Sequence, residues 1–379
     1  MRFAFGILDE KGSENAVKKH RLFAPLCLFL LIVLASFAPA FARGRDPASV
    51  GVVFATGEGD SMYTSSVAGV KRAQSDMRIH LTSYLTGYDP SKYEQAVRDA
   101  AAHNRLIIAV GGALSEPVSK AADEYPDVDF VLIDAKCPHP RVASIVFYQC
   151  EASYLAGMLA ARITERELAK KGNAPRVTGV VLGERGEQAP VMLDFLYGFV
   201  QGAREADPKI QVLAASAESW NDPKRARELA MEMHRRGANV IFQAAGRSGQ
   251  GVIEAAFTGR FYVIGVDEAQ EKQAPGTVLT AVLKHFDQAI YDAIAAKYEG
   301  HLRPGTTLRY RLWNRGVGLS WTTNTLVHED LRRELEGVSY RIIDSHIKVV
   351  SCYDDKGSFK NGLKPIPAGV SVVPASYLP

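Results

Sequence analysis

Short apolar runs alternate with amphipathic stretches along most of the chain after residue 43. The first run, residues 50–55, ends in a polar, Gly-rich loop, and a helical pattern follows over 64–76. Alternation of strand and helix patterns predicts a mostly parallel sheet with helices on both faces. Further runs of strand character occur at 79–84, 105–110, 130–134, 144–148, 176–182, 210–215, 240–244, 262–266, 277–282 and 308–312.

The alternation begins again with a helical stretch over 152–165 and continues to about residue 312. Two blocks of similar size therefore follow each other, although no strict sequence repeat links them. This organisation predicts an α/β protein with two doubly wound parallel-sheet lobes. After residue 312 the alternation fades, and the tail at 339–379 has low helical content and several prolines.

The N-terminus has the layout of a secretory signal peptide. Residues 18–21 read Lys-Lys-His-Arg, an uncharged apolar stretch follows at 22–37, and Ala-Phe-Ala ending at Ala42 offers a cleavage site. We therefore expect a periplasmic or secreted protein. An uncleaved anchor over 22–42 is the alternative, because that stretch is long enough to span a bilayer. Cys27 lies inside the apolar run and not after it, so a lipoprotein is not expected.

The composition narrows the classes of function. The chain has 379 residues, of which 47% are hydrophobic, so it can bury large cores. The net charge is +3, and outside residues 1–42 the basic and acidic residues nearly balance. A chain with so little excess charge is not expected to bind nucleic acid through bulk electrostatics. We expect a monomer that needs no cofactor.

Three cysteines, Cys137, Cys150 and Cys352, follow the N-terminal segment. Export makes a disulfide chemically possible, and Cys137–Cys150 is the favoured pair because only a short strand-like stretch separates the two residues. One cysteine is then left over, and no Cys/His spacing in the chain resembles a zinc site.

Side chains that follow the predicted strands form the candidate binding site. Ligands of parallel α/β proteins bind beyond the carboxyl ends of the strands and at domain interfaces. The residues at these ends combine aromatic faces, carboxylates, one amine and open backbone, which suits a flat polar ligand with hydroxyl groups. The candidate ligand-binding residues are Asp60, Met62, Tyr63, Gly112, Glu116, Trp220, Gly246, Asp267 and Lys284.

A Gly-spaced turn at 246–251 follows the strand at 240–244 and opens a helical segment. The backbone N–H groups of such a turn can hold an anion or a polar ligand. The alternative is that the glycines only allow tight packing between the strand and the helix.

Several collinear segments resemble the basic membrane protein family of ABC-transporter substrate-binding proteins. They read FVLID at 130–134, EASYLAG at 151–157, FQAAGRSGQG at 242–251 and VIGVD at 263–267. The segment PVMLDFLYGFVQGA at 190–203 also fits the family's proline followed by Gly-Phe-x-x-Gly-Ala. The resemblance covers about residues 48–350.

The resemblance implies the type I periplasmic binding-protein fold, in which a multi-strand hinge joins two lobes. It also implies a protein, not an enzyme, that closes around a purine nucleoside or related purine and delivers it to an ABC permease in the inner membrane. The expected domains are a signal peptide at 1–42, an N-terminal lobe at 43–147 plus 284–302, a C-terminal lobe at 148–283 plus 303–350, and a tail at 351–379.

The site residues of the family carry over best on one side of the expected cleft. Asp267 and Lys284 match the family's sugar-binding acid and lysine, and Gly246 matches its ligand-facing glycine. Trp220 stands where the family has a stacking Phe, and Glu116 stands where it has an Asp that binds the base edge.

The other side of the expected cleft departs from the family. Met62 and Gly112 stand at two positions where the family has Phe, and Tyr63 stands at an adjacent Asn. The preceding loop is short, so either Glu58 or Asp60 can enter the site. These departures leave another small polar ligand, such as a free base, a urate-like compound or a sugar, as the alternative.

An exported nucleoside hydrolase is the alternative from a different class. The sequence has no Gly-x-Ser-x-Gly, no His-Glu-x-x-His and no paired Asp cluster of the metal-site type, which argues against it. A partner of a membrane receptor is a third hypothesis, and signalling would then need another chain.

Overall fold

The computed structural model describes residues 46, 48–172, 175–184, 190–321, 326–353 and 370–372. The predicted signal peptide at 1–42 and most of the tail at 351–379 lie outside these residues. Within the described part of the chain, no helix is both long and apolar enough to cross a lipid bilayer.

The first of two sheets contains six described strands, and every neighbouring pair is parallel. The strands are β1 (Ser49–Phe54), β2 (His80–Leu85), β3 (Leu106–Val110), β4 (Asp129–Ile133), β5 (Val142–Phe147) and β11 (Thr307–Tyr310). Their order across the sheet is β11-β5-β4-β3-β1-β2. The central strands are apolar and buried along nearly their whole length, as parallel strands covered on both faces require.

The second sheet contains seven described strands. They are β6 (Val177–Leu182), β7 (Gln211–Ser216), β8 (Ala238–Ala244), β9 (Tyr262–Asp267), β10 (Val278–Lys284), β12 (Val317–Leu319) and β13 (Val370–Val372). Their order is β12-β10-β9-β8-β6-β7-β13. Among these seven strands, only the short edge strand β12 runs antiparallel to its neighbour, β10.

Helices connect most of the strands. Those that the structure describes are α1 (Ser61–Met77), α2 (Tyr93–His103), α3 (Ser115–Glu124), α4 (Gln149–Lys171), α5 (Pro190–Ala206), α6 (Pro223–Arg235), α7 (Gly249–Gly259), α8 (Phe286–Tyr298) and α9 (Glu329–Ile343). Two of them begin at carboxylate caps, since Asp60 accepts from the N–H of Met62 and Asp222 accepts from the N–H of Arg225.

Alternate residues of each buried strand pack into cores on opposite faces of the sheet. In β1, Val52 and Phe54 belong to the large core that continues into α4, α5 and α8, whereas Val53 belongs to the core beneath α2 and α3. This separation follows from the two-residue period of a strand. The two helical layers therefore cover both faces of the first sheet, which confirms the predicted α/β class.

Glycines bring α4 and α5 into close contact. A Cβ atom at Gly198 would lie 2.2 Å from the carbonyl oxygen of Cys150, and one at Gly202 would lie 1.8 Å from that of Tyr154. A Cβ at Gly157 would meet the carbonyl oxygen of Phe199 at 2.0 Å. The glycines of the Gly-Phe-x-x-Gly segment therefore allow α4 and α5 to pack closely.

In the C-terminal half, three segments differ in the structure from what the sequence pattern predicts. The strand Thr307–Tyr310, which the predicted boundaries assign to the C-terminal lobe, pairs in parallel with β5 of the first sheet. The helix Glu329–Ile343 extends into the tail at 339–379, for which low helical content is predicted. Within the predicted tail, Val370–Val372 pairs with β7. The lobe boundaries themselves stay a prediction.

The favoured pairing of Cys137 with Cys150 is not formed, since Cys137, Cys150 and Cys352 are free thiols. Cys137 packs in the core beneath α2 and α3, and its sulfur lies 3.2 Å from the hydroxyl oxygen of Ser119. Cys150 lies in a separate cluster with Val146 and Tyr148, so the two thiols are in different cores.

Candidate functional site

A cavity of about 760 Å³ lies where the strands of both sheets end. Thr56 reaches it after β1, Asp134 after β4, Glu184 after β6 and Trp220 after β7, while Lys284 is the last residue of β10. Parallel strands place their carboxyl ends at one edge of a sheet, so residues distant in sequence meet there. The cavity is therefore in the position where this fold class binds small molecules.

Lys284 is the buried cation of this cavity. Its Nζ lies 2.5 Å from Oδ1 of Asp134, and the two side chains are only 3% and 7% exposed. The rings of Phe147, Phe195 and Phe286 surround the ammonium group, with centroids 5.2, 5.5 and 5.0 Å from Nζ. Burial raises the pKa of Asp134, and Lys284 opposes the rise. The ammonium group is thus held by one carboxylate and three aromatic faces.

Asp267 occupies the end of β9 in a left-handed backbone conformation, with φ +65°. Its Oδ2 accepts a hydrogen bond of 2.9 Å from the hydroxyl of Ser61, at the start of α1. Burial raises the pKa of Asp267 to about 7, Lys284 opposes this rise, and Asp60 and Asp134 add to it. The site thus gathers three carboxylates around one cation.

Asp60 caps α1 and faces the cavity at the same time. Its Oδ1 accepts from the N–H of Met62 at 2.9 Å, and its Oδ2 accepts from the hydroxyl of Tyr88. Burial raises the pKa of Asp60, while these hydrogen bonds and Lys284 lower it. Asp60 is buried and lines the cavity, whereas Glu58 is exposed, so the structure resolves which of the two acids enters the site.

Trp220 lies against two glycines that leave room for its ring. A Cβ atom at Gly183 would lie 2.4 Å from Cε3 of the indole, and a Cβ at Gly246 would lie 3.3 Å from the same atom. The N–H of Ser248 donates to the carbonyl oxygen of Trp220 at 3.0 Å, which ties the two loops together. The indole is therefore positioned by backbone contacts from the ends of β6 and β8.

The Gly-spaced turn lies partly at the cavity and partly in the packing around α7. Gly246, with φ +54°, lines the cavity. A Cβ at Gly249 would lie 1.9 Å from Oε1 of Gln243, and one at Gly251 would lie 1.8 Å from the carbonyl oxygen of Pro223. The first glycine thus faces the cavity, and the other two allow tight packing.

Seven of the nine predicted residues line the cavity, and two do not. Those that line it are Asp60, Met62, Gly112, Trp220, Gly246, Asp267 and Lys284. Tyr63 instead packs edge-on against Phe54, with ring centroids 5.1 Å apart. The Glu116 side chain is 79% exposed and pairs with Lys120 on the surface of α3 at 3.0 Å. These positions do not agree with the prediction that Tyr63 and Glu116 contact the ligand.

Other cavity residues were not predicted from the sequence. Tyr88 and Tyr93 follow β2, and Phe195 comes from α5, where it reads as a core residue. Asp134 is visible in the sequence as an acid that follows a predicted strand, but it is not among the nine candidates, and its contact with Lys284 adds it to the site. Cys352 and Tyr353 come from a segment without any periodic pattern, so no sequence signal pointed to them.

Two sheets of parallel strands whose ends enclose one cavity define the class of periplasmic-type solute-binding proteins. The family model described as "ABC transporter substrate-binding protein PnrA-like" (Bmp) matches residues 48–351. The chain belongs to this family. It is therefore the substrate-binding protein of an ABC transporter and not an enzyme, which confirms both expectations, and its family implies a small-molecule ligand and a transporter permease.

The relatives agree with this assignment. "Basic membrane protein D" of Borreliella burgdorferi (strain JD1) is 29% identical over 314 residues, which cover 78% of this chain and 85% of that protein. "ABC transporter nucleoside-binding protein BmpA" of Lactococcus lactis subsp. cremoris (strain MG1363) is 29% identical over 265 residues, which cover 65% of this chain and 71% of that protein.

Solved structures share the fold. A solute-binding protein of an ABC transporter system from Aeropyrum pernix K1 aligns with a TM-score of 0.72 and 25% identity, covering 83% of this chain and 98% of its own. A carbohydrate-transporter solute-binding protein from Agrobacterium radiobacter, in complex with D-arabinose, aligns with a TM-score of 0.59 and 16% identity, covering 77% and 99%. At that lower identity the likeness shows the fold alone.

Proposed function

We propose that this substrate-binding protein takes a purine nucleoside or a related purine as its ligand. The observation that carries the proposal is the convergence of Trp220, Asp267 and Lys284 on one cavity from three strand ends of the second sheet. A nucleoside has a flat base and a hydroxylated sugar, and this set of side chains offers a partner for each part. The name of the Lactococcus lactis relative, a nucleoside-binding protein, supports the same ligand class.

The proposed base contact is stacking on the indole of Trp220. Stacking of a base on an aromatic side chain contributes about 1–3 kcal/mol and does not depend on which base is present. The backbone of Gly183 and Gly246 packs against the indole, and Trp220 lines the cavity. Met62, whose polarisable sulfur can contact a ring, lines the same cavity.

The proposed sugar contacts are made by the buried charges. Asp267 and Asp60 are acceptors for ligand O–H or N–H groups, and the Lys284 ammonium, which has three donors, can add a ligand oxygen to its bond with Asp134. Carboxylates outnumber cations among these groups, so a neutral ligand rich in hydrogen-bond donors fits the cavity better than a phosphorylated one.

We also propose that the protein works outside the cytoplasm as a monomer. The basic residues, apolar stretch and Ala-x-Ala site within 1–42 support export and cleavage after Ala42. A periplasmic or secreted location places the protein where it can deliver its ligand to an inner-membrane permease. Sequencing the N-terminus of the exported protein tests this, and a start at residue 1 would contradict it.

Isothermal titration calorimetry tests the ligand class directly. The chain from residue 43 onward is titrated with adenosine, guanosine, inosine, adenine, guanine, urate, ribose and galactose. We expect saturable binding of at least one purine at micromolar or lower concentration. Binding of a sugar alone, or of no purine at all, would contradict the proposal and favour the alternative of another small polar ligand.

A further inference from the structure

The segment Ser351–Tyr353 comes from the far end of the chain and forms part of the cavity wall. Cys352 and Tyr353 both line the cavity, next to residues from the strand ends of the two sheets. The match to the family ends at residue 351. Cys352 and Tyr353 directly follow this matched region and add a wall of the cavity from outside it.

A buried carboxylate of α5 anchors this segment. The N–H of Cys352 donates to Oδ1 of Asp194 at 2.8 Å, and the N–H of Cys150 donates to Oδ2 at 3.3 Å. Asp194 is 0% exposed, and a buried carboxylate is tolerated only when its oxygens have such partners. Asp194 therefore fastens the C-terminal segment to the start of α4.

The aromatic ring of Tyr353 is fixed from a second direction. It packs against the ring of Tyr148 with centroids 5.7 Å apart, and it lies against the buried cluster that includes Cys150. The N–H of Tyr353 donates to the hydroxyl of Ser351 at 3.2 Å. Both neighbours of the ring lie at the junction between β5 and α4, which makes the ring a fixed part of the wall.

We propose that Tyr353 is a specificity-determining residue for the ligand and that Asp194 is the residue that positions it. The inference rests on the proposed purine ligand, because an aromatic ring in the wall favours a planar group over a compact sugar. On the first-sheet side of the cavity, Met62 and Gly112 carry no ring, whereas Tyr88 and Tyr93 do. Tyr353 thus gives the site an aromatic surface that is separate in sequence from Trp220.

Calorimetry on Tyr353 variants tests the inference. We expect Tyr353→Ala to weaken binding of the purine that the wild type binds most tightly by about tenfold, and Tyr353→Phe to weaken it less than about threefold, because the ring remains. Tyr340→Ala is the matched control, since Tyr340 is 58% exposed and outside the cavity. Equal affinity of Tyr353→Ala and the wild type would overturn the proposal. If Tyr353→Ala does not fold, Tyr353→Leu retains the bulk without the ring.

The positioning role of Asp194 is tested by a ratio of affinities. Asp194→Asn keeps the shape of the side chain but replaces one acceptor oxygen with an NH₂ group. The segment Ser351–Tyr353 then loses part of the hydrogen bonding that holds it. We expect its ratio of purine affinity to ribose affinity to fall at least about threefold, since the ring of Tyr353 is then held less firmly. A purely structural role would weaken both ligands equally, and that result would overturn the role of Asp194.

The two proposals can fail separately. If the wild type binds ribose or galactose but no purine, the purine proposal fails, and the role of Tyr353 is then judged by the affinity of Tyr353→Ala for that sugar. If the wild type binds a purine and Tyr353→Ala binds it equally well, only the role of Tyr353 fails.

Discussion

Nζ of Lys284 and Oδ1 of Asp134 are 2.5 Å apart, although Lys284 ends a strand of the second sheet and Asp134 follows a strand of the first. The pair is almost completely buried, with side chains that are 3% and 7% exposed. Ser61 and Asp267 make a second link, between the start of α1 and the second sheet, at 2.9 Å. The polar groups of the cavity therefore also join the two sheets.

Lys284→Met is expected to destabilise the protein strongly, because it leaves Asp134 buried without its cation. Loss of one partner of a buried ion pair costs about 3–5 kcal/mol in the free energy of unfolding. The double variant Lys284→Met/Asp134→Asn removes both charges and is expected to recover part of this loss. Urea denaturation of Lys284→Met, Asp134→Asn, the double variant and the wild type measures the differences.

A surface lysine provides the control for that prediction. Lys120 pairs with Glu116 at 3.0 Å on the exposed side of α3, and Lys120→Met is expected to change the free energy of unfolding little. A double variant that is as unstable as the sum of its two single variants would contradict the coupling between Lys284 and Asp134.

The pH dependence of stability is expected to report on Asp267. Its pKa is about 7 in the folded protein against an ordinary value of 3.8, so the folded state keeps a proton that the unfolded state loses between these values. The contribution of Asp267 to stability is therefore fully present below about pH 4 and is lost as the pH rises towards 7. The loss is at most about 1.4 kcal/mol per pH unit.

Asp267→Asn removes this titrating carboxyl group. Asp194, whose pKa burial raises to about 6, stays in both proteins. The pKa of Glu268, which burial and the charge of Asp267 raise to about 7, is expected to fall in the variant. The free energy of unfolding of the wild type, relative to Asp267→Asn, is expected to fall between about pH 5 and pH 7. Two parallel stability curves over this range would show that Asp267 does not titrate there.

The strand and helix alternation was sufficient to predict the class and most of the strands. Buried parallel strands are short apolar runs, and β1 to β11 are visible in the sequence because most are bounded by polar or Gly-rich segments. The short strands β12 and β13 have three residues each, which is too short for a periodic signal. Their positions depend on pairing with β10 and β7 and not on local pattern.

The candidate site was predictable where a residue follows a strand directly. Asp267 and Lys284 are the last residues of β9 and β10, so the rule for strand ends places them at the cavity. The rule for strand ends does not distinguish Met62 from Tyr63, because both lie in the first turn of α1. The side chains of successive residues of a helix point about 100° apart. Met62 faces the cavity, and Tyr63 turns towards Phe54 in the core. Sequence proximity to a strand end could not separate the two.

Replacement of Trp220 is expected to distinguish the ligand classes. Trp220→Ala should weaken binding of a purine at least tenfold, which corresponds to about 1.4 kcal/mol, because the stacking surface is lost. It should change the affinity for a compact sugar little. Calorimetry measures both affinities.

Trp313→Ala is the matched control for Trp220→Ala. Trp313 is 64% exposed and does not line the cavity, so its removal is expected to leave ligand affinity unchanged. Retention of full purine affinity in Trp220→Ala would show that the indole is only a packing residue of its loop.

The contact between α4 and α5 predicts opposite outcomes for substitutions at two glycines. A Cβ at Gly202 would lie 1.8 Å from the carbonyl oxygen of Tyr154, so Gly202→Ala must force the helices apart. Overpacking of this kind costs about 1–3 kcal/mol. Gly337 lies within α9, where an added Cβ would meet no atom of the described residues within 4 Å, so Gly337→Ala is expected to stabilise the protein by about 0.5–1 kcal/mol. Thermal or urea unfolding compares the two variants, and a neutral Gly202→Ala would mean that the helices separate at little cost.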